Sequence, residues 1–507
     1  MVTLVPLERL GMAQLWYCCQ RSWEQGQRKM SQIAPPDDGL SSTHSNGTNR
    51  RKSSKKTREE KGLIRSALEQ EHFEDEEGSH HSVDHPHGHI GSARTPWYGT
   101  TVVLLSEVMG TGVLSLPFAA RTLGWISTLI SIPLFAIIAA YSGWLLALVK
   151  REHHDFGSYA DASTELLGHA FGAFTKACML VNWGALAVYY MIALSNGLGD
   201  LFQGMCDYER TIIAACLLIL PCQCRDFYNI SKYLSIPSTL AIVVLLVTVM
   251  VNLSEDDLEP FAQSTSLEPL PNTSPFDFLA SLSAFVFAYQ GQSIYFELMS
   301  EMKDFSQFPM ACSSAYFGMC IVYAATVVVA YGVKGANTPE FLPDSMQDGL
   351  AKRIAGALVI LHIAVSYVIC CQPLHDWLHS KIFPQTYHEE SRLGTMHWFL
   401  ITTGYLVFGF VVGNLIPFFA DVQALIGSLF GAPTIFGWPS IFFVMMYRQK
   451  ASSWLEAISL MGYGHAFVCG MFLFICTPLF CILGTTGAVQ AIIEDSKQAM
   501  SPFQCNK

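Results

Sequence analysis

From residue 97 onward this chain is a succession of apolar runs, and that pattern leaves few folds open. Each run has about 18–25 residues, enough for a helix rising 1.5 Å per residue to cross a hydrocarbon core ~30 Å thick. Backbone N–H and C=O groups have no water to bond in lipid, so a spanning segment is either a helix or a strand of a closed barrel. Alternating ten-residue segments are absent, which leaves helices. Of the 507 residues only 14% are charged, against about 25% in an ordinary soluble domain. The reading is an all-α polytopic membrane protein with about eleven transmembrane helices. They fall near residues 98–121, 124–149, 174–202, 211–224, 230–252, 276–302, 312–333, 353–375, 396–418, 422–446 and 463–492. Residues 97–492 form the transmembrane domain, with a disordered cytosolic tail at 1–96 and a short C-terminal tail at 493–507.

Charge sets the expected orientation. Residues 1–96 hold thirteen of the thirty Lys and Arg, which favours a cytosolic N-terminus. The loop at 254–275 has five acids and no Lys or Arg, which suits the opposite side. Its sequon at Asn272 is weakened by Pro275. Glu8 and Arg9 interrupt the first apolar stretch, so no cleavable signal peptide is expected. The basic serine-rich segment 50–56 reads as a solvated tail, with anionic lipid as the alternative. His72, His80, His81, His85, His87 and His89 lack cysteine and tetrahedral spacing, so no metal or cofactor is expected. No nucleic acid partner is expected either. Most cysteines read as small buried hydrophobes. Cys206 and Cys505 both fall on the non-cytosolic side, where a disulfide between them is allowed.

Two spans carry breakers. The first reads Ser106-Glu107-Val108-Met109-Gly110-Thr111-Gly112-Val113-Leu114-Ser115-Leu116-Pro117. Its glycines lie near mid-membrane, and glycine, β-branched threonine and proline are all poor helix formers. The segment is either a close-packing glycine contact or unwound backbone that lines a site, with a half-helix N-terminus offered to a carboxylate. The sixth span reads Tyr289-Gln290-Gly291-Gln292-Ser293 near its middle. Broken helices in matching positions of two five-helix halves point to an inverted-repeat transporter with a central site.

These residues resemble a known family. Gly110-Thr111-Gly112-Val113-Leu114-Ser115-Leu116-Pro117-Phe118-Ala119 with Leu123-Gly124-Trp125, Ser158-Tyr159-Ala160-Asp161 with Gly168, residues 287–297 with Met302-Lys303-Asp304, and Ile416-Pro417-Phe418-Phe419-Ala420-Asp421 with Ala432-Pro433-Thr434 are similar to stretches of the amino acid/auxin permease family, in the same order. The resemblance covers about residues 95–450. It implies an amino acid permease of the inverted-repeat type, driven by a proton or sodium gradient. It implies that Gly110, Thr111 and Gly112 meet the substrate carboxylate, with Tyr289, Gln290, Gly291 and Gln292 facing them. Val108 stands where several members have Asn, so a proton is favoured over sodium.

Ionisable residues inside spans are functional candidates by default. Glu107 and Glu297 are candidates for ion coupling, Glu297 also for a structural or gating role. Ser366 is a candidate ion ligand, because the resemblance sets span 8 against span 1. His362 reads as a satisfied interior histidine and Asp421 as solvated. The expected function is secondary active transport of neutral amino acids across a plasma or vacuolar/lysosomal membrane. The alternatives are an amino acid sensor without net transport and a passive channel. No Walker-type loop, His-Glu-x-x-His helix or Gly-x-Ser-x-Gly elbow is present, so an enzyme is not expected.

Overall fold

Helix α1 (Trp97–Val108) stops at Met109, where ψ turns to 59°, and Gly110 follows in an extended conformation. A 3-10 turn (Thr111–Ser115) then leads into α2 (Leu116–Glu152). The computed structural model describes residues 95–498 except 203, 226, 256–264, 271–272 and 388–390, together with Phe503. The basic and histidine-rich parts of the tail, Asn272 and Cys505 lie outside the described residues. Cys206 is disulfide-bonded.

The run Thr111–Glu152 has 42 residues, far more than one crossing needs. Gly124 divides it, with φ 69° inside an otherwise helical segment. A Cβ there would lie 2.4 Å from the Glu268 carbonyl oxygen, so only glycine fits. The same turn pairs with the segment that precedes α7, Trp125 N donating to Ser266 O (2.9 Å) and Ile126 N to Leu267 O (3.0 Å).

The chain continues through α3 (Tyr159–Leu167), α4 (His169–Leu201), the short α5 (Asp207–Ile219), α6 (Phe227–Glu255), α7 (Pro275–Ala288), α8 (Tyr295–Glu301), α9 (Phe308–Lys334), α10 (Leu350–Ile382) and α11 (Arg392–Leu415). Next come α12 (Phe419–Ile426), α13 (Trp438–Lys450), α14 (Trp454–Met461), α15 (Tyr463–Met471), α16 (Thr477–Leu479) and α17 (Thr485–Gln498). Wide π-turns join α12 to α13 and α15 to α17. Among the described residues, eight helical stretches are long and apolar enough to cross a membrane. The sequence pattern expected three more: the first and sixth spans, each cut in two by a break, and the short fourth, which ends at Pro221.

Packing follows the two-half pattern. The 3-10 turn after α1 lies on α7, α2 on α9, α4 on α10, and α5 on α11, so each of the first four spans meets the span five places further on. Spans 1 and 6 also run antiparallel. Thr95, just before α1, pairs with Met302, just after α8, in a locally parallel bridge, a Cβ on Gly291 would meet the Val108 side chain, and one on Gly112 would meet Ala288. Residue numbers rise in one partner as they fall in the other. The two breaks therefore face each other.

Candidate functional site

A break in a span frees backbone carbonyls, and each one left buried without a donor costs about 1–3 kcal/mol. Side chains from α9 and α12 satisfy them here. Tyr323 Oη donates to Ala288 O at 2.9 Å and lies 3.5 Å from Val108 O, so one hydroxyl serves both breaks. Tyr316 Oη donates to Tyr289 O at 3.0 Å and accepts from Gln292 Nε2 at 3.2 Å. Tyr295 Oη closes on the same hydroxyl. Gln423 Nε2 bridges Gly112 O (3.1 Å) and Ala284 O (3.3 Å), while its Oε1 accepts from Tyr189 Oη at 3.0 Å. The unwound segments are thus fixed structure, which a ligand site needs.

Between the breaks lies a cavity of about 80 Å³, room for several waters. From span 1 it is lined by Glu107, Val108, Gly110, Thr111 and Gly112, and from span 6 by Phe287, Gln290, Gly291, Ser293 and Ile294. Asn182, Trp183, Leu186 and Tyr190 of α4 and Ile369, Cys370 and Pro373 of α10 complete the wall. Most of the lining is apolar, with a few polar groups pointing in, the usual make-up of a small-molecule site. Glu107 Oε2 lies 3.9 Å from Cys370 Sγ, and Cys370 Sγ lies 3.4 Å from Tyr190 Oη. Glu107 Oε1 and Gln290 Oε1 are buried with no hydrogen-bond partner among the described residues. Gln290 Nε2 reaches Asn182 Oδ1 at 3.5 Å.

A family model described as "Transmembrane amino acid transporter protein" matches residues 93–483. The chain belongs to the transmembrane amino acid transporter protein family. Its similarity to curated members is long and dilute. It is 24% identical over 447 residues to the N amino acid transport system protein of Neurospora crassa, which covers 82% of this chain and 90% of that one. It is 26% identical over 377 residues to Amino acid transporter AVT1C of Arabidopsis thaliana, covering 72% and 66%. The crystal structure of MhsT in complex with L-phenylalanine superposes with a TM-score of 0.53 at 13% identity, over 78% of this chain and 100% of that one. That likeness establishes the fold. The family is one of transporters, not enzymes.

Within this transporter fold the sequence-selected residues separate into two groups. Gly110, Thr111, Gly112, Gln290, Gly291 and Glu107 line this cavity together. Tyr289, Gln292, Glu297 and Ser366 do not. The Tyr289 ring packs on Tyr316 and Tyr323, with centroids 6.0 and 5.0 Å away. Gln292 is fully buried, its Oε1 accepting from Gly291 N at 3.0 Å. Both hold the break rather than face the cavity. Glu297 sits on α8 beyond the break, near the polar cluster where buried Lys150 donates to Phe156 O and Ser300 Oγ. Ser366 is buried on α10 one turn past His362.

Two expectations change. His362 is not fully satisfied: Nδ1 lies 2.8 Å from Ser238 Oγ and 3.2 Å from Ser238 O, while Nε2 has no partner among the described residues. Asp421 was expected in water, yet its Oδ2 is buried. The start of α12 packs against the connection between α9 and α10, where Ala420 N donates to Glu340 Oε2 at 3.2 Å.

Proposed function

We propose that this protein is a secondary active transporter that carries neutral amino acids in symport with protons. The observation that carries the reading is the pair of antiparallel broken helices, which bring unwound backbone and polar atoms with no partner among the described residues to one cavity. An unwound N-terminal end such as Thr111–Ser115 offers backbone N–H groups and a positive dipole end to a carboxylate. In this reading Gly110, Thr111 and Gly112 take the substrate carboxylate, and Gln290 and Gly291 approach it from span 6. Glu107 meets the α-amino group or carries a proton at Oε1. Tyr289 and Gln292 hold the second break, and Glu297 belongs to a gate with Lys150. A neutral substrate fits a lining with one carboxylate and no basic residue among the described residues. Val108 puts an apolar side chain at the first break, which favours a proton over a sodium ion that would need oxygen ligands. The N-terminus is placed in the cytosol, and the membrane is the plasma membrane or a vacuolar/lysosomal one. The relatives named as amino acid transporters support the substrate class.

The test is uptake into proteoliposomes by the full chain, across a panel of labelled amino acids with proton and sodium gradients imposed separately. Accumulation driven by a proton gradient supports symport, binding without accumulation indicates a sensor, and flux that ignores both gradients indicates a channel. Gly110→Leu crowds the first break, where the cavity wall backs onto the ring of His362, and should abolish uptake while leaving membrane insertion intact. Normal uptake by that variant would overturn the central-site reading.

A further inference from the structure

Gly110 has the cavity on one side and the ring of His362 on the other. A Cβ built on Gly110 would stand 3.7 Å from His362 Nε2 and 3.9 Å from the Glu107 carbonyl oxygen. His362 is fully buried on α10. Its Nδ1 faces one residue of α6, Ser238, which presents Oγ at 2.8 Å and its carbonyl oxygen at 3.2 Å. The hydroxyl can donate and the carbonyl can accept, so Nδ1 keeps a partner whether or not it carries hydrogen. Both neutral tautomers and the imidazolium are therefore compatible with the α6 side of the ring. The states differ at Nε2, which has no partner among the described residues and points at the break.

The break is where α1 ends. The last carbonyls of a helix lack intrahelical donors and carry the negative end of its dipole. A hydrogen on Nε2 is favoured near that end of the dipole and a bare lone pair is not. The other titratable groups around the ring lie further along its neighbours. From α1 there is Glu107, whose carboxyl meets Cys370 two turns along α10. From α4 there are Tyr190, on the same thiol, and Asp200, paired with Lys352 at the outer end of α10. From α9 there is Tyr323, bonded to the break carbonyls. On α10 itself Tyr367 and Cys371 follow within three turns.

We propose that His362 is a proton-binding site of the transport cycle, which gains and loses a proton at Nε2 and transmits its state through the Gly110 backbone to the substrate cavity. The inference rests on the transport reading above and adds the group that links proton to substrate. The proton enters from one aqueous side while the break is accessible to it, and leaves to the other after the spans rearrange. No covalent bond changes.

The experiment compares wild type, His362→Gln and Ser238→Ala as full chains in proteoliposomes that contain a pH-sensitive dye. The probe is whichever amino acid of the standard twenty the wild type exchanges fastest. Two quantities are read: amino acid exchange with equal substrate on both sides, and dye-reported proton movement when substrate is added on one side. His362→Gln should keep exchange within about twofold and lose the proton signal at least tenfold. Ser238→Ala removes the hydroxyl donor, which biases Nδ1 toward carrying hydrogen. It should retain transport with its pH midpoint moved by about one unit, tenfold in proton concentration. Wild-type proton movement in His362→Gln overturns the proposal. If His362→Gln fails to insert, an unmoved pH midpoint in Ser238→Ala overturns it. Absence of exchange for all twenty amino acids in the wild type overturns the transport reading itself, a distinct outcome.

Discussion

Gly112 and Gly110 sit two residues apart and do different things. A Cβ on Gly112 would lie 2.9 Å from the Ala288 Cα and 3.2 Å from the Phe287 ring. The first is backbone and cannot give way, so Gly112→Ala pushes span 1 off span 6. Overpacking of this kind costs about 1–3 kcal/mol. The expected result is a lower melting temperature in detergent and loss of uptake. Gly110 has φ −92°, which any residue adopts, and only ordinary contacts near its Cβ position. Gly110→Ala should therefore insert and melt like wild type, within about 0.5 kcal/mol, while altering transport through the narrowed gap to His362. Thermal melts of the two alanine variants in parallel check the contrast, and equal melting temperatures would remove Gly112 from the interhelical contact.

The breaks depend on the intact helices beside them. Gln423→Met keeps the size of the side chain and removes three hydrogen bonds at once, those to Gly112 O, Ala284 O and Tyr189 Oη. It should destabilise more than Tyr323→Phe, which loses one good bond to Ala288 O. At about 1 kcal/mol per bond the difference is about 2 kcal/mol, readable in the same melts. If Tyr323→Phe is the more damaging, Gln423 is not the main clamp. The two glycine breaks were legible in the sequence because glycine, threonine and proline weaken a helix locally. Their partners were not. Tyr316 and Tyr323 lie seven residues apart on one face of α9, a polar stripe inside an apolar span that could have signalled buried acceptors. Gln423 carries no such pattern, and its role depends on a contact more than 300 residues away along the chain. Separation along the chain also hid Asn182 and Cys370 as cavity walls, 108 residues from Gln290 and 263 from Glu107, and the turn of Tyr289 and Gln292 toward α9.

At the scale of the whole molecule the antiparallel pairing of spans 1 and 6 sets a limit on motion. Thr95 N donates to Glu301 O at 2.9 Å and Lys303 N donates to Thr95 O at 3.0 Å, so the start of span 1 is tied to the end of span 6 by backbone alone. Buried Lys150, held by Phe156 O and Ser300 Oγ, closes the same end of the molecule. If the cavity opens alternately to the two sides, this end must part while the Gln423 and Tyr323 clamps hold the middle, with the glycine-containing breaks as hinges. A covalent tie at Thr95 and Met302 separates binding from movement. In a variant with both replaced by cysteine, oxidation should stop net amino acid uptake in proportion to the fraction cross-linked, while labelled substrate still binds from the unlocked side. Reduction should restore uptake. The hydrogen-bonded tie supplies only a few kcal/mol, so the variant kept reduced should transport at a rate close to wild type. Net uptake that persists in fully cross-linked protein would mean that this end does not part, and that any access to the cavity from that side runs through other helices.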